Sequence, residues 1–372
     1  MEVPDDCDIF NFFLTGKAQE NPDCETRAKA NRKNGSSGLS IERLFKIYFD
    51  AFLKESIEEN SYGMLQTHRN NLERILGKRT KIGAFSTGDI QKYVDKRAKE
   101  PGRRGKVKPV TIRKEVTTLS TIFNWAVSNG YLDVAPNKKG VRYPKGKEKL
   151  PFQTWDEINR KISRGGLTDE QIADLWECLF LNTSEIAELL AHVKQNARHG
   201  FIYPAFVFAA HTGARRSEIA RSQTSDLDFE SGMITIRELK RVRGLQSTRR
   251  VPMSPLLKKL LESWLDDHPG GQYTFCLPNS LPRSTKNRSN PTAMTSNELH
   301  DHFRRSLSGA KWEVVHGWHT LRHSFCSNCA AAGVEQRVIN DWVGHQTAEM
   351  VRRYRHLFPN QQQQAIRVVF GL

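Results

Sequence analysis

Residues 319–354 read HTLRHSFCSNCAAAGVEQRVINDWVGHQTAEMVRRY. Leu321, Phe325 and Ala332 recur at helical spacing, and His319 and Arg322 stand three apart in that run, so an imidazole and a guanidinium share one helix face. A second helical run, Val334, Val338, Ile339, Trp342 and Val343, stops at Gly344 and delivers His345 directly after the stop. Tyr354 follows nine positions later, behind Arg352 and Arg353. Chemically these are the parts for cutting a phosphodiester: cations for the phosphate, imidazoles for protons and a phenol as nucleophile.

Upstream of this stretch, the apolar run Phe206–Ala210 breaks at Gly213, where a short helix can begin. Arg215 stands just after the break, and Glu218 is one turn on, able to hold the local backbone or an arginine by a charge-assisted hydrogen bond. Arg216 would point about 100° away from Arg215 on a helix. Next, Met233–Arg237 and Arg249–Met253 are β-branched or apolar stretches around a basic loop containing Gly244, which predicts a hairpin. Thr295 with Glu298 predicts a capping box opening a helix through Leu299, Phe303 and Leu307.

HTLRH, then VGH, then Tyr354, preceded by Thr212, Gly213, Arg215 and Glu218 in the pattern TGxRxxE, resembles the two signature boxes of the tyrosine recombinases, also called the phage integrase family. The resemblance covers about residues 40–360 and is strongest after 205. It implies a mainly α fold with a small β-sheet: a helical, SAM-like core-binding domain followed by a mixed α/β catalytic domain. It also places the catalytic lysine of the family on the hairpin, where Lys240 is the only lysine, flanked by Arg241 and Arg243. The implied catalytic set is Arg215, Lys240, His319, Arg322, His345 and Tyr354, with Glu218 in support.

In that set Arg215 and Arg322 would neutralise the phosphate oxygens with planar forks. His319 would serve as base for a phenol of reference pKa about 10, His345 as a further donor to the phosphate, and Lys240 as acid for the departing 5′ oxygen. The implied activity is site-specific DNA strand cleavage and rejoining through a 3′-phosphotyrosyl intermediate, with no ATP, cofactor or required metal. The implied partners are double-stranded DNA, four protomers on two DNA sites, and accessory DNA-bending or directionality proteins. A type IB topoisomerase, which shares this residue set but only nicks and reseals, and a non-catalytic DNA-binding protein are the alternatives.

Towards the N-terminus, residues 1–38 are mostly polar and end in RKNGSSG, a flexible tether. From Ser40, Ile41, Leu44, Phe45, Tyr48 and Phe52 mark one helix; Leu65–Leu76, a run from Thr87 and a run from about Thr111 to Gly130 mark three more. These form the domain 39–137. Its basic loop and following helix start carry Arg103, Arg104, Lys106, Lys108, Arg113 and Lys114, suited to a DNA backbone. Lys138 and Lys139 open a basic, proline-punctuated linker over 138–151, and the catalytic domain is expected over 152–360. Residues 163–200 exceed the usual opening of that domain, and Leu175, Trp176, Leu179 and Phe180 could pack on the core or meet a partner. The tail 361–372 ends in apolar residues that either dock on a neighbouring protomer or fold back.

The 372 residues carry 57 Lys+Arg against 41 Asp+Glu, a formal charge of +16 that favours a polyanionic partner over a merely solvated basic surface. No apolar run approaches the roughly 20 residues of a membrane span and no signal-peptide pattern opens the chain, so the expectation is a cytoplasmic protein with reduced cysteines. Cys326 and Cys329 form one CxxC near His319 and His323. Without a second CxxC, and with Thr320 where a metalloprotease helix needs glutamate, they read as packing thiols rather than metal ligands.

Overall fold

The computed structural model describes residues 38–51, 59–102, 105–146, 150–242, 245–277, 293–344, 367 and 369–371, with backbone alone for 59–60, 239–242 and 245–246. The chain divides into two compact units, 1–148 and 149–372.

The first unit is helical. Helix α1 (Ile41–Asp50) starts where Ser40 accepts the Arg43 amide, and α2 (Glu59–Leu76) ends ahead of Gly77. Ser86, one residue before the expected start, caps α3 (Thr87–Arg97) in a reciprocal box with Asp89; Pro109 opens α4 (Pro109–Ser128) at the position where its missing N–H costs nothing. Their apolar faces meet around Ile41, Leu44, Phe45, Ile90, Tyr93, Ile112, Leu119 and Phe123. Inside this core Glu115 is buried and satisfied by Arg97 (2.9 Å), the Tyr93 hydroxyl (2.7 Å) and Asn71 (3.0 Å). A buried carboxylate persists only when paired in this way.

The start of the expected linker is attached to this unit. Thr87 Oγ1 donates to the Asn137 carbonyl, the Arg142 amide donates to Gln91, and Val141 and Tyr143 pack against the helical core. Lys106, Lys108, Arg113, Lys114, Lys138 and Lys139 are all exposed, with the Arg113 guanidinium 4.2 Å above the Tyr143 ring. Arg103 and Arg104 lie outside the described residues, as does nearly all of the tether.

The second unit begins with α5 (Trp155–Ser163), α6 (Asp169–Trp176) and α7 (Thr183–Asn196), each opened by a reciprocal capping box from Thr154, Thr168 and Asn182. The extra segment packs inward: Leu175, Leu179 and Phe180 are buried, and Trp176 stacks obliquely on Trp155. Helix α8 (Ile202–Thr212) is apolar all round and runs through the core, as a helix enclosed on every side must. After α9 (Arg216–Arg221), the strands β1 (Leu227–Asp228), β2 (Met233–Val242) and β3 (Leu245–Pro252) form an antiparallel sheet in that order. The hairpin strands are longer than the apolar runs suggest, because their tips are basic and carry no alternation signal.

Helices α10 (Pro255–Asp266), α11 (Ser296–Leu307), α12 (Trp318–Ala331) and α13 (Gln336–Val343) complete the unit. Thr295 and Glu298 form the expected box at the start of α11. Phe206, Phe303 and Trp318 stack together, tying α8, α11 and α12 into one core. A smaller cluster, Phe152, Phe180, Cys326, Ala330, Ile339 and Val343, clamps α12 to α13. Among the described residues no helix is long and apolar enough to cross a membrane.

Candidate active site

The site is assembled where α8 stops. Gly213 adopts φ +61°, and a Cβ there would lie 2.8 Å from the Phe325 ring, so both conformation and space select glycine. The reversal sets Arg215 as the N-cap of α9. Glu218 reaches back and accepts the Arg215 amide at 2.7 Å and its Nη1 at 2.7 Å. Arg215 remains about one-third exposed while Glu218 is buried.

Glu218 has a second guanidinium that the sequence did not point to. Arg249, buried on β3, donates from Nη2 (2.7 Å) and Nη1 (3.1 Å) to the two Glu218 oxygens. Burial by itself would raise the Glu218 carboxyl, but the hydrogen bonds and charge of Arg249, joined by Arg215, hold it down to about 2. Arg249 also donates from Nε to the Trp342 carbonyl (2.6 Å) and lies 3.3 Å from Glu238.

Helix α12 contributes His319 and Arg322. Arg322 is buried and points inward: Nη1 donates to the Gly213 carbonyl (2.7 Å) and Nη2 to that of Val343. Burial, then the nearby Arg215, lowers its pKa to about 10, which leaves it charged at neutral pH. His319 lies against packed protein yet keeps an exposed edge. The surrounding protein, Arg322 and Arg215 push its pKa down to about 4. Water at the exposed edge screens part of that effect, so the firm consequence is its direction: the imidazole is neutral at pH 7 and able to accept a proton.

Helix α13 ends at Gly344 with φ +76°, immediately before His345. A methyl group at Gly344 would lie 3.7 Å from Arg215 Nη1 and collide with the Glu238 carboxylate. Glu238 in turn sits 3.6 Å from Arg215 and accepts the Ser247 hydroxyl at 2.6 Å. Here β2 bulges: Arg237 pairs with Thr248 and Arg241 with Gln246, so Glu238, Leu239 and Lys240 face only Ser247. Bulges re-aim side chains and often lie beside active sites.

The fold therefore brings Arg215, Glu218, His319 and Arg322 together from elements more than a hundred residues apart in sequence order. The backbone of Lys240 and Arg241 lies on β2, while Arg243, His345 and Tyr354 fall outside the described residues. Sequence reading missed Arg249 and Glu238. Arg215 and Arg249 pair with Glu218 and Glu238 while Arg322 is held by backbone carbonyls, so these five described side chains together carry one positive charge in excess. Cys326 is buried and Cys329 half-buried, and burial pushes the Cys329 thiol up to about 12. Among the described residues no group of three or more His, Cys, Asp or Glu side chains is placed to hold a metal ion.

Residues 180–361, which span both boxes and the hairpin, match the model of the phage integrase family. That stretch is a phage integrase family domain. A tyrosine recombinase of Pseudothermotoga lettingae is 22% identical over 284 residues, covering 74% of this chain and 80% of that protein. In fold the recombinase is similar to a lambda integrase dimer bound to a COC′ core site, with TM-score 0.58 and 16% identity, covering 93% of this chain and 83% of that one. A lambda integrase tetramer bound to a Holliday junction gives TM-score 0.56 at 15% identity, covering 89% and 82%. The protein is thus a tyrosine-type site-specific recombinase, mostly helical with a three-stranded sheet.

Proposed function

We propose that this recombinase cleaves and rejoins double-stranded DNA by esterifying Tyr354 to a 3′ phosphate held by Arg215 and Arg322. The observation that carries the reading is the convergence of Arg215, Arg322 and neutral His319 at the end of α13, directly before His345. A phosphodiester repels an incoming oxyanion, and fixed cationic donors remove that repulsion without reorganisation. His319 takes the phenol proton, His345 donates to the phosphate, and Lys240, carried by the bulge, protonates the leaving 5′ oxygen. Glu218 orients Arg215. The excess positive charge neutralises the phosphate, so no divalent metal is required.

The phosphotyrosyl bond conserves the energy of the broken phosphodiester, and a 5′ hydroxyl from another strand re-forms the DNA bond and releases Tyr354. The exposed cations Lys106, Lys108, Arg113, Lys114, Lys138 and Lys139 contact the DNA backbone from the first unit, joined by Arg103 and Arg104 and, from the hairpin, Arg241 and Arg243. The likeness to a tetramer bound to a Holliday junction supports four protomers on two DNA sites. The test is a nicked suicide substrate cut from DNA flanking the gene, incubated with EDTA and run on a denaturing gel. Wild type is expected to form a DNA-linked species and Tyr354→Phe to bind without trapping, while Arg215→Ala slows trapping about 100- to 1000-fold. No trapped species from the wild type, or trapping by Tyr354→Phe, would overturn the reading.

A further inference from the structure

Arg249 touches both carboxylates of the site and the backbone at the end of α13, and its Nε, Nη1 and Nη2 are each already taken by a protein partner. Its forked end spans both Glu218 oxygens, its Nη1 lies 3.3 Å from Glu238, and its Nε holds the Trp342 carbonyl two residues before Gly344. Lysine, a point charge with no fork, could not make these contacts together.

Resting on the strand-cleavage reading above, we propose that Arg249 is a positioning residue that absorbs the acidic pair Glu218 and Glu238, keeping the Arg215 guanidinium available to the scissile phosphate while fixing the end of α13 ahead of His345. With Arg249 present, two guanidiniums, Arg215 and Arg249, share the two carboxylates; without it Arg215 alone pairs with both. Arg322 is turned towards the Gly213 and Val343 carbonyls, so the carboxylates would fall on Arg215, which already lies 2.7 Å from Glu218 and 3.6 Å from Glu238. Arg215 would then hold protein carboxylates in place of DNA phosphate.

The experiment measures single-turnover cleavage of the nicked substrate by wild type, Arg249→Met, Arg249→Lys and the double variant Arg249→Met with Glu238→Gln, alongside DNA affinity and thermal unfolding. Arg249→Met should cleave about 100-fold more slowly with DNA affinity within a few-fold of wild type. Removing the Glu238 charge in that background should recover at least about tenfold, because the deficit is electrostatic; a purely structural role predicts no recovery from that second change. Arg249→Lys, which keeps the charge and the fold but loses the fork, should fall between wild type and Arg249→Met. Folded Arg249→Lys at wild-type speed, together with a double variant no faster than Arg249→Met, would overturn the proposal. A wild type that never traps DNA would sink the strand-cleavage reading itself, a different result from wild type trapping and the Arg249 variants trapping equally fast.

Discussion

Arg215 and Arg322 flank the same two residues: Arg322 holds the Val343 carbonyl, and Arg215 lies against Gly344. His319, beside both cations, is held neutral, and this has a measurable consequence. A pKa depressed from 6.5 towards 4 means the base stays competent as pH falls through 6.5. Cleavage rate should therefore hold between about pH 8 and pH 6 and decline only below that, and a half-maximal rate at pH 6.5 in single-turnover profiles would contradict it. The stability effect has the same sign. The folded state binds the His319 proton less readily than the unfolded chain, so its contribution is full above about 6.5 and is lost as pH falls towards 4. At this scale the sequence revealed residues standing in short motifs, Arg215 with Glu218 and His319 with Arg322. Arg249 was hidden because STRRVPM reads as one basic strand end, and its partner Glu218 lies 31 positions away. Spacing within a strand carries no information about such a contact.

Helix α12 is pinned by the segment just ahead of α7. Ser324 Oγ accepts the buried Leu181 amide at 2.8 Å, and Asn328 donates to the Leu181 carbonyl at 3.0 Å. The segment between α6 and α7 thus braces the helix that carries His319 and Arg322. Ser324→Ala leaves the Leu181 N–H unsatisfied and should cost about 1–3 kcal/mol by denaturant unfolding; a variant as stable as wild type would show the brace to be unimportant. The β2 bulge is the second element with a consequence. If it delivers Lys240 as the acid, Lys240→Ala should be largely rescued by a 5′-bridging phosphorothiolate substrate, whose sulfur leaves without a proton. Failure of that rescue removes Lys240 from the role. Helix starts were legible because capping boxes are local, as at Thr295. Neither the bulge nor the short β1 was, since both exist through pairing with a partner strand.

Across the whole molecule, the boundary between the two units, at residue 148, falls inside the basic, proline-punctuated stretch 138–151 that the sequence marks as a linker. What could not be anticipated was that the basic stretch after 137 begins as part of the first unit. Its anchors are a threonine hydroxyl, a glutamine and two half-buried side chains, none of them periodic. The charge of +16 predicts binding dominated by phosphate contacts. With six or more such contacts, DNA affinity should fall at least about 1000-fold between 50 and 200 mM salt, and a nearly flat salt dependence would deny the basic surface its role. Strand cleavage by this site depends above all on the identity of the nucleophile. Nuclease digestion of the trapped complex followed by peptide mass spectrometry should place a single 3′-phosphonucleotide on Tyr354. An adduct on any other residue, or a trapped complex whose Tyr354 peptide is unmodified, would contradict it.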